Sequence, residues 1–321
     1  MKCLKILPVV LAAAMLASCK SVNTSSVQYV APVTLSDVSV INDEMTALAE
    51  VPNVPNSIAM PVASGTKVKE NDQAVIDYSN AEDGYVMVKY KASSDNKLKA
   101  QVVRETTYTY DLPAGDWVTF PLSDGNGEYK ITVHENIEGN KYSTVLSEAV
   151  NVTLKDEFAP FLRPNQYVNY ENTPTVLAKA EELTADTSKV LEKVAKIYDF
   201  VVNYLEYDKA KAKTMQSGYL PQLENVMAEK KGVCFDYASL MTAMLRSQGV
   251  PCKLVVGYAN SVCHSWISVW SDETGWIDGA VYFDGTAWQR MDPTFVSSGK
   301  GSESVREFVG DGNNYTPKYL Y

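Results

Sequence analysis

Histidine is nearly missing from this chain. Among 321 residues there are two, His134 and His264, so chemistry that needs a near-neutral base has two places to reside. Cysteine is sparse as well: Cys3, Cys19, Cys234, Cys252 and Cys263 are too few for a disulfide scaffold in a chain this long. Basic charge is in deficit. Against 39 Asp and Glu stand 29 Lys and Arg, a net charge of −10, which excludes a general nucleic-acid binder because no basic surplus exists to displace phosphate counterions. There is no zinc-ligand spacing, no phosphate-cradling glycine loop and no Gly-x-Ser-x-Gly elbow, so no metal or cofactor is called for. What is present is an ordinary globular mixture, 45% hydrophobic and 21% charged. That composition excludes a wholly disordered chain and a polytopic membrane protein.

The first residues read as an address. Lys2 and Lys5 precede an apolar run over 6–17, shorter than the ~18 residues a membrane span needs, and no later run reaches that length. The run ends in Leu16-Ala17-Ser18-Cys19. This resembles the bacterial lipoprotein signal, which implies cleavage after residue 18 and lipidation of Cys19. The expected setting is an exported protein, lipid-anchored to the outer face of a bacterial membrane. Loss of Lys2 and Lys5 with the signal takes the charge from −10 to −12, so anchoring rests on acyl chains and not on attraction to anionic lipid.

Residues 19–65 are rich in Ser, Thr, Asn, Val and Pro and read as a tether with a short helix near 43–49. Over 66–156 the pattern is β. Segments 74–78, 85–90, 98–104, 106–110, 117–121, 128–134 and 150–154 are β-branched and aromatic, with turns at 80–84, 111–115 and 124–127. This predicts a β-sandwich of Ig-like architecture, without the Cys…Trp…Cys hallmark. Asp124-Gly-Asn-Gly-Glu128 reads as a hairpin turn, since it lacks the ligand series of a calcium loop. His134, beside Glu135 and Asn136, reads as a solvated surface histidine.

Residues 157–300 open with an aromatic connector and then turn helical. Thr173-Pro174 predicts a helix to about Leu183. A second helix, from Asp186 to about Leu205, carries a core stripe through Val190, Val194, Ile197 and Val201. Residues 301–321 read as a C-terminal tail.

Gly232-Val-Cys234-Phe-Asp236 opens a third helix that ends at Gly249-Val-Pro251. Its buried stripe runs Cys234, Ala238, Met241, Leu245. In the first turn the helix dipole and unpaired amides favour a Cys234 thiolate, though a buried structural cysteine fits that position equally well. Asp236 reads as electrostatic support for the helix start. Strands follow at 253–258 and 264–270, then a hairpin around Asp284-Gly285, and Asp292-Pro-Thr294 closes its second strand. The chain order is helix-borne Cys, strand-borne His, strand-borne Asp. A thiol nucleophile needs an imidazole partner, and that imidazole needs an acceptor to orient it.

These residues resemble the bacterial transglutaminase-like core. The resemblance rests on Gly232-Val-Cys234 with Asp236-Tyr-Ala, Arg246-Ser-Gln-Gly-Val-Pro-Cys-Lys253, Val256-Gly-Tyr258, His264-Ser-Trp266, Gly275-Trp276 and Asp292-Pro-Thr294, over roughly 180–296. Two departures are Lys253, where arginine is common, and about twenty residues of extra hairpin before Asp292. The resemblance implies an α+β protein in which the N-terminal sandwich is followed by a papain-like transglutaminase core. It also implies a Cys234–His264–Asp292 triad and a thioester acyl-enzyme. Trp266 is a candidate for the substrate cleft.

The expected function is cleavage or transfer at amide bonds, as a peptidase, deamidase or protein crosslinker. The expected partner is a protein or peptide, a cell-wall peptide being one candidate. The competing expectation is a non-catalytic envelope-binding lipoprotein with an inert domain. Cys252 and Cys263 flank a hairpin whose tight register sets Cys252 beside Val269, too far from Cys263 for a disulfide.

Overall fold

The computed structural model describes residues 60–259, 262–272, 275–283, 288–290 and 315–321. The signal, Cys19, the tether up to residue 59, the hairpin turn at 284–287 and Asp292 lie outside these residues.

Alternating burial along short strands builds two antiparallel sheets. The first contains β1 (Val68–Glu70), β2 (Ala74–Asp77), β3 (Tyr85–Tyr90) and β6 (Trp117–Pro121), in the order β1-β2-β3-β6. The second contains β4 (Leu98–Val103), β5 (Thr107–Asp111), β7 (Gly127–Glu138) and β8 (Lys141–Val152), in the order β5-β4-β7-β8. On β4 the inward set is Leu98, Ala100 and Val102; on β7 it is Tyr129, Ile131 and Val133. Asp124 closes a turn. Its carboxylate accepts from the Glu105 and Thr106 amides and the Tyr108 hydroxyl, at 3.1, 2.8 and 3.2 Å.

Two expectations fail in this region. The β7–β8 hairpin runs far past the segments that the apolar pattern marks, because its outer half is polar and held by the backbone ladder from Glu135↔Ser143 to Glu138↔Lys141. His134 is not at the surface. It is buried on β7, and its Nε2 lies 3.1 Å from Gln101 Oε1 on the neighbouring strand. The polar neighbours that suggested exposure lie toward the hairpin end, whereas His134 itself is covered, and burial lowers its pKa.

A connector with a 3₁₀ turn at Ala159–Phe161 leads into helices α1 (Pro174–Thr184) and α2 (Val190–Tyr204). Short elements follow: β9 (Glu206–Tyr207), α3 (Lys209–Thr214), α4 (Leu223–Glu229) and β10 (Lys231–Gly232), with β10 pairing parallel to β9. Next comes α5 (Cys234–Ser247). Its first turn excepted, α5 is buried on every side: each residue from 235 to 247 is buried, with α1, α2, α4, β11 and β12 around it. The single stripe expected for this helix is therefore a full circumference, the pattern of a helix at the centre of a domain. It stops where Gly249 takes a positive φ of 74° and Pro251 follows.

The last sheet contains β11 (Cys252–Ala259), β12 (Val262–Ser271), β13 (Gly275–Phe283), β14 (Trp288–Arg290) and β15 (Tyr315–Leu320), in the order β14-β13-β12-β11-β15. The expected tail is thus partly an edge strand. Gly257 makes that pairing possible, because a Cβ there would lie 2.2 Å from the Thr316 carbonyl and 2.8 Å from the Trp266 ring. Arg246, buried, ties the arrangement together. Its guanidinium donates to the carbonyls of Cys252, Arg163 and Tyr321 at 2.9, 2.6 and 2.6 Å.

The two sheets and the helical region share one buried cluster. Tyr110 packs on Phe120, Tyr167 and Tyr321 at ring distances of 4.4, 5.7 and 5.9 Å, which links both regions through aromatic contacts. A second seam sets Phe158 and Phe161 against Trp276 and lays the Lys253 ammonium 3.5 Å from the Trp276 centroid.

Candidate active site

The start of α5 is built around Asp236, which is fully buried. Its carboxylate accepts from the Val233 amide at 2.9 Å, from Lys211 Nζ at 2.8 Å and from the Tyr219 hydroxyl at 2.5 Å. The Val233 bond satisfies one of the orphan donors of a helix N-terminus. Lys211 supplies the charge that a buried carboxylate requires. Gly232 lacks a side chain for a steric reason, since a Cβ there would lie 2.7 Å from the Asp236 Cβ. The electrostatic role expected for Asp236 is therefore present, with two partners that the sequence did not signal. Lys211 and Tyr219 lie 25 and 17 residues upstream.

This anchored turn presents Cys234 to β12. The Ser265 backbone amide and the Cys263 thiol are both close enough to act on the sulfur electrostatically. The Cys234 sulfur therefore meets β12 along residues 263–265, the stretch that contains His264. Among the described residues the β12 pairing with β13 covers 267–271, and this contact lies before it in the strand.

His264 is buried, and its ring stacks on Trp266 at 6.3 Å with planes 26° apart. Trp266 in turn meets Tyr315 of β15 edge-on at 5.4 Å. Strand alternation puts Trp266 in a small cluster with Val255, while Ile267 and Val269 join the main core with α5. The imidazole thus belongs to the Trp266 side of the strand.

One electrostatic expectation is reversed. Burial pushes the Cys234 thiol up to about 12, although the Ser265 amide pulls the other way. The helix start favours a thiolate, but desolvation at a fully packed helix outweighs it. Cys252 is similarly raised, to about 11, by burial. Cys252 pairs across the ladder with Val269, and Cys263 with Tyr258. No disulfide joins the described cysteines, as the register predicts. Among the described residues no group of His, Cys, Asp and Glu has a metal-binding arrangement, and no helix is long and apolar enough to cross a membrane.

Residues 178–293 match the family described as the transglutaminase-like superfamily, and this part of the chain is a transglutaminase-like domain. A related sequence is the uncharacterized protein YebA of Bacillus subtilis, 23% identical over 180 residues. That alignment takes in 49% of this chain and only 24% of YebA, so the chain spans about a quarter of this relative. Among solved structures, similarity extends to a Cytophaga hutchinsonii protein named "Putative Cysteine Protease", at 16% identity and a TM-score of 0.36 over 74% of this chain and 83% of that one. It also extends to the periplasmic domain of TgpA from Pseudomonas aeruginosa, at 16% identity and a TM-score of 0.29 over 65% and 70%.

Proposed function

We propose that this protein is an exported, lipid-anchored thiol enzyme that acts on amide bonds of a protein or peptide through a thioester acyl-enzyme. Cys234 is the nucleophile, His264 the base and then the acid, and Asp292 the acceptor that orients the imidazole. The reading is carried by one observation: the Cys234 sulfur, at the start of a helix, lies against the 263–265 stretch of β12. The family match supports it.

The raised thiol sets the form of the first step. Cys234 rests as a neutral thiol and loses its proton to His264 as the sulfur attacks the carbonyl carbon. The C–N bond then breaks, the amine leaves with that proton, and water or a second amine displaces the sulfur. The Cys234 backbone N–H at the helix start is the proposed oxyanion donor. The test incubates the protein with a peptide library and a labelled amine, scoring cleavage, deamidation and label incorporation by mass. Loss of all three in Cys234→Ala supports the reading; full activity in that variant sinks it.

The burial that raises the thiol favours a second reading, an inert domain in a binding lipoprotein. Cys234 labelling by a small alkylator separates the two. Labelling faster than at Cys252 and Cys263, and slowed by His264→Ala, supports the enzyme. Equal and sluggish labelling supports the binding protein.

For the N-terminal region we infer an Ig-like sandwich. The support is the strand order, in which β4 and β5 stand together in one sheet while β3 and β6 pair in the other.

A further inference from the structure

A cavity of about 420 Å³ lies between the start of β6, the connector and the start of α4. None of its lining residues belongs to α5 or β12, so it is separate from the Cys234 site. Its chemistry is unusual in two respects. Six of its side chains are carboxamides: Asn165, Gln166, Asn169, Asn172, Gln222 and Asn225. Lysine, arginine and histidine are absent from its lining.

One wall is Trp117, the first residue of β6, which leaves 38% of its surface exposed. A tryptophan at such a rim offers a flat apolar platform with a polar edge. The wall behind holds Asn165, only 4% exposed. Its Oδ1 accepts from the Tyr167 and Val168 amides, at 2.9 and 3.1 Å, while its buried Nδ2 has no partner among the described residues. Beside it, Gln166 donates through Nε2 to the Asp111 carbonyl at 2.6 Å, and its buried Oε1 is likewise unpaired. A donor and an acceptor are therefore left over in adjacent wall residues, each of which costs stability unless something answers it.

The acids of the cavity do not make a cation site. Glu224 is committed to α1, accepting from the Thr175 and Val176 amides at 2.9 and 3.4 Å. Asp116 and Glu171 come from separate segments, the bend before β6 and the connector. This concavity supplies carboxamide donors and acceptors in equal number, and its carboxylates, with no basic residue beside them, add acceptors that disfavour an anionic ligand. It suits a ligand that is itself uncharged, dense in hydroxyls, and apolar on one face.

We propose that this cavity binds an uncharged saccharide, with one sugar face on Trp117 and its hydroxyls on the surrounding carboxamides.

The test titrates the full chain calorimetrically with chitotetraose, cellotetraose, maltotetraose, xylotetraose and mannotetraose, and with the monosaccharide of each. Binding of at least one member is expected, at a Kd of about 1 mM or tighter, with Trp117→Ala and Asn169→Ala each weakening it about tenfold. Both residues are exposed, so these variants should fold, and their circular dichroism spectra check that they do. A free sugar site takes the monosaccharide as well as the tetrasaccharide, and a site for an extended glycan prefers the longer chain; either result supports the proposal. Cys234→Ala is expected to bind as the parent does. Three outcomes overturn the proposal: no binding by any member, binding indifferent to Trp117→Ala and Asn169→Ala, or binding only of a lysine-rich peptide included as a competitor.

Discussion

The two histidines occupy two sheets and have nearly the same burial, yet their surroundings differ. His134 sits inside the β5-β4-β7-β8 sheet with Gln101 as its neighbour. His264 sits on β12, where the Cys234 thiol reaches the same stretch of strand and Trp266 stacks on the ring. The contrast shows that burial of a histidine carries little information about function. What separates the two is the group brought alongside: an amide in one sheet and a thiol at a helix start in the other.

The strongest way to break this contrast is to remove each ring in turn. His264→Ala is expected to reduce amide cleavage or transfer about 10³-fold, the usual worth of a general base. His134→Ala should leave turnover unchanged and cost about 1 kcal/mol through the unpaired Gln101, measured by urea denaturation. Equal losses of activity would end the distinction.

A second comparison concerns the acid under the site. Asp236→Ala leaves Lys211 and the Val233 amide without their acceptor, and the expected cost is about 3 kcal/mol, read as a shift in urea midpoint. Gly257→Ala tests the other support of the His264 strand, the β15 edge. Its new Cβ meets the Thr316 carbonyl, so a loss of about 2 kcal/mol is expected, together with faster hydrogen exchange in β15.

The smallest expected effect is on pH. The Cys234 thiol is pushed up to about 12 in the folded chain and ionises near 8.5 when unfolded. The folded state therefore holds a proton that the unfolded state has released, and stability falls as pH rises from about 9 toward 12. Urea midpoints measured at pH 8, 9 and 10 should decline, less steeply in Cys234→Ser. Alkylation of Cys234 should climb across the same range without a plateau below pH 8. A plateau in mild acid would instead reveal a preformed thiolate–imidazolium pair.

Much of this arrangement was readable in the chain. Alternating residues such as Leu98, Ala100 and Val102 announce strands, and Gly249 with Pro251 announces the end of α5. The site motif placed Cys234 and His264 on a helix and a strand that do meet. The losses have physical causes. The outer β7–β8 hairpin is polar and held by its ladder, so no hydrophobic period marks it. β15 contains Pro317, paired opposite Gly257 beside a bulge, and proline in a short run argues against a strand unless it lies at an edge. Lys211 and Tyr219 join Asp236 only through the tertiary fold, and local sequence carries no trace of that. The thiol's shift depends on how completely α5 is surrounded, which one helical stripe does not disclose.

The shared aromatic core has a practical consequence. Tyr110 and Tyr167 come from either side of residue 156, and both pack on Tyr321. A chain cut at that boundary would strip each piece of part of its interior. The protein should therefore melt as one calorimetric transition, and an excised transglutaminase-like fragment would be a poor reagent whose behaviour says little about the full chain.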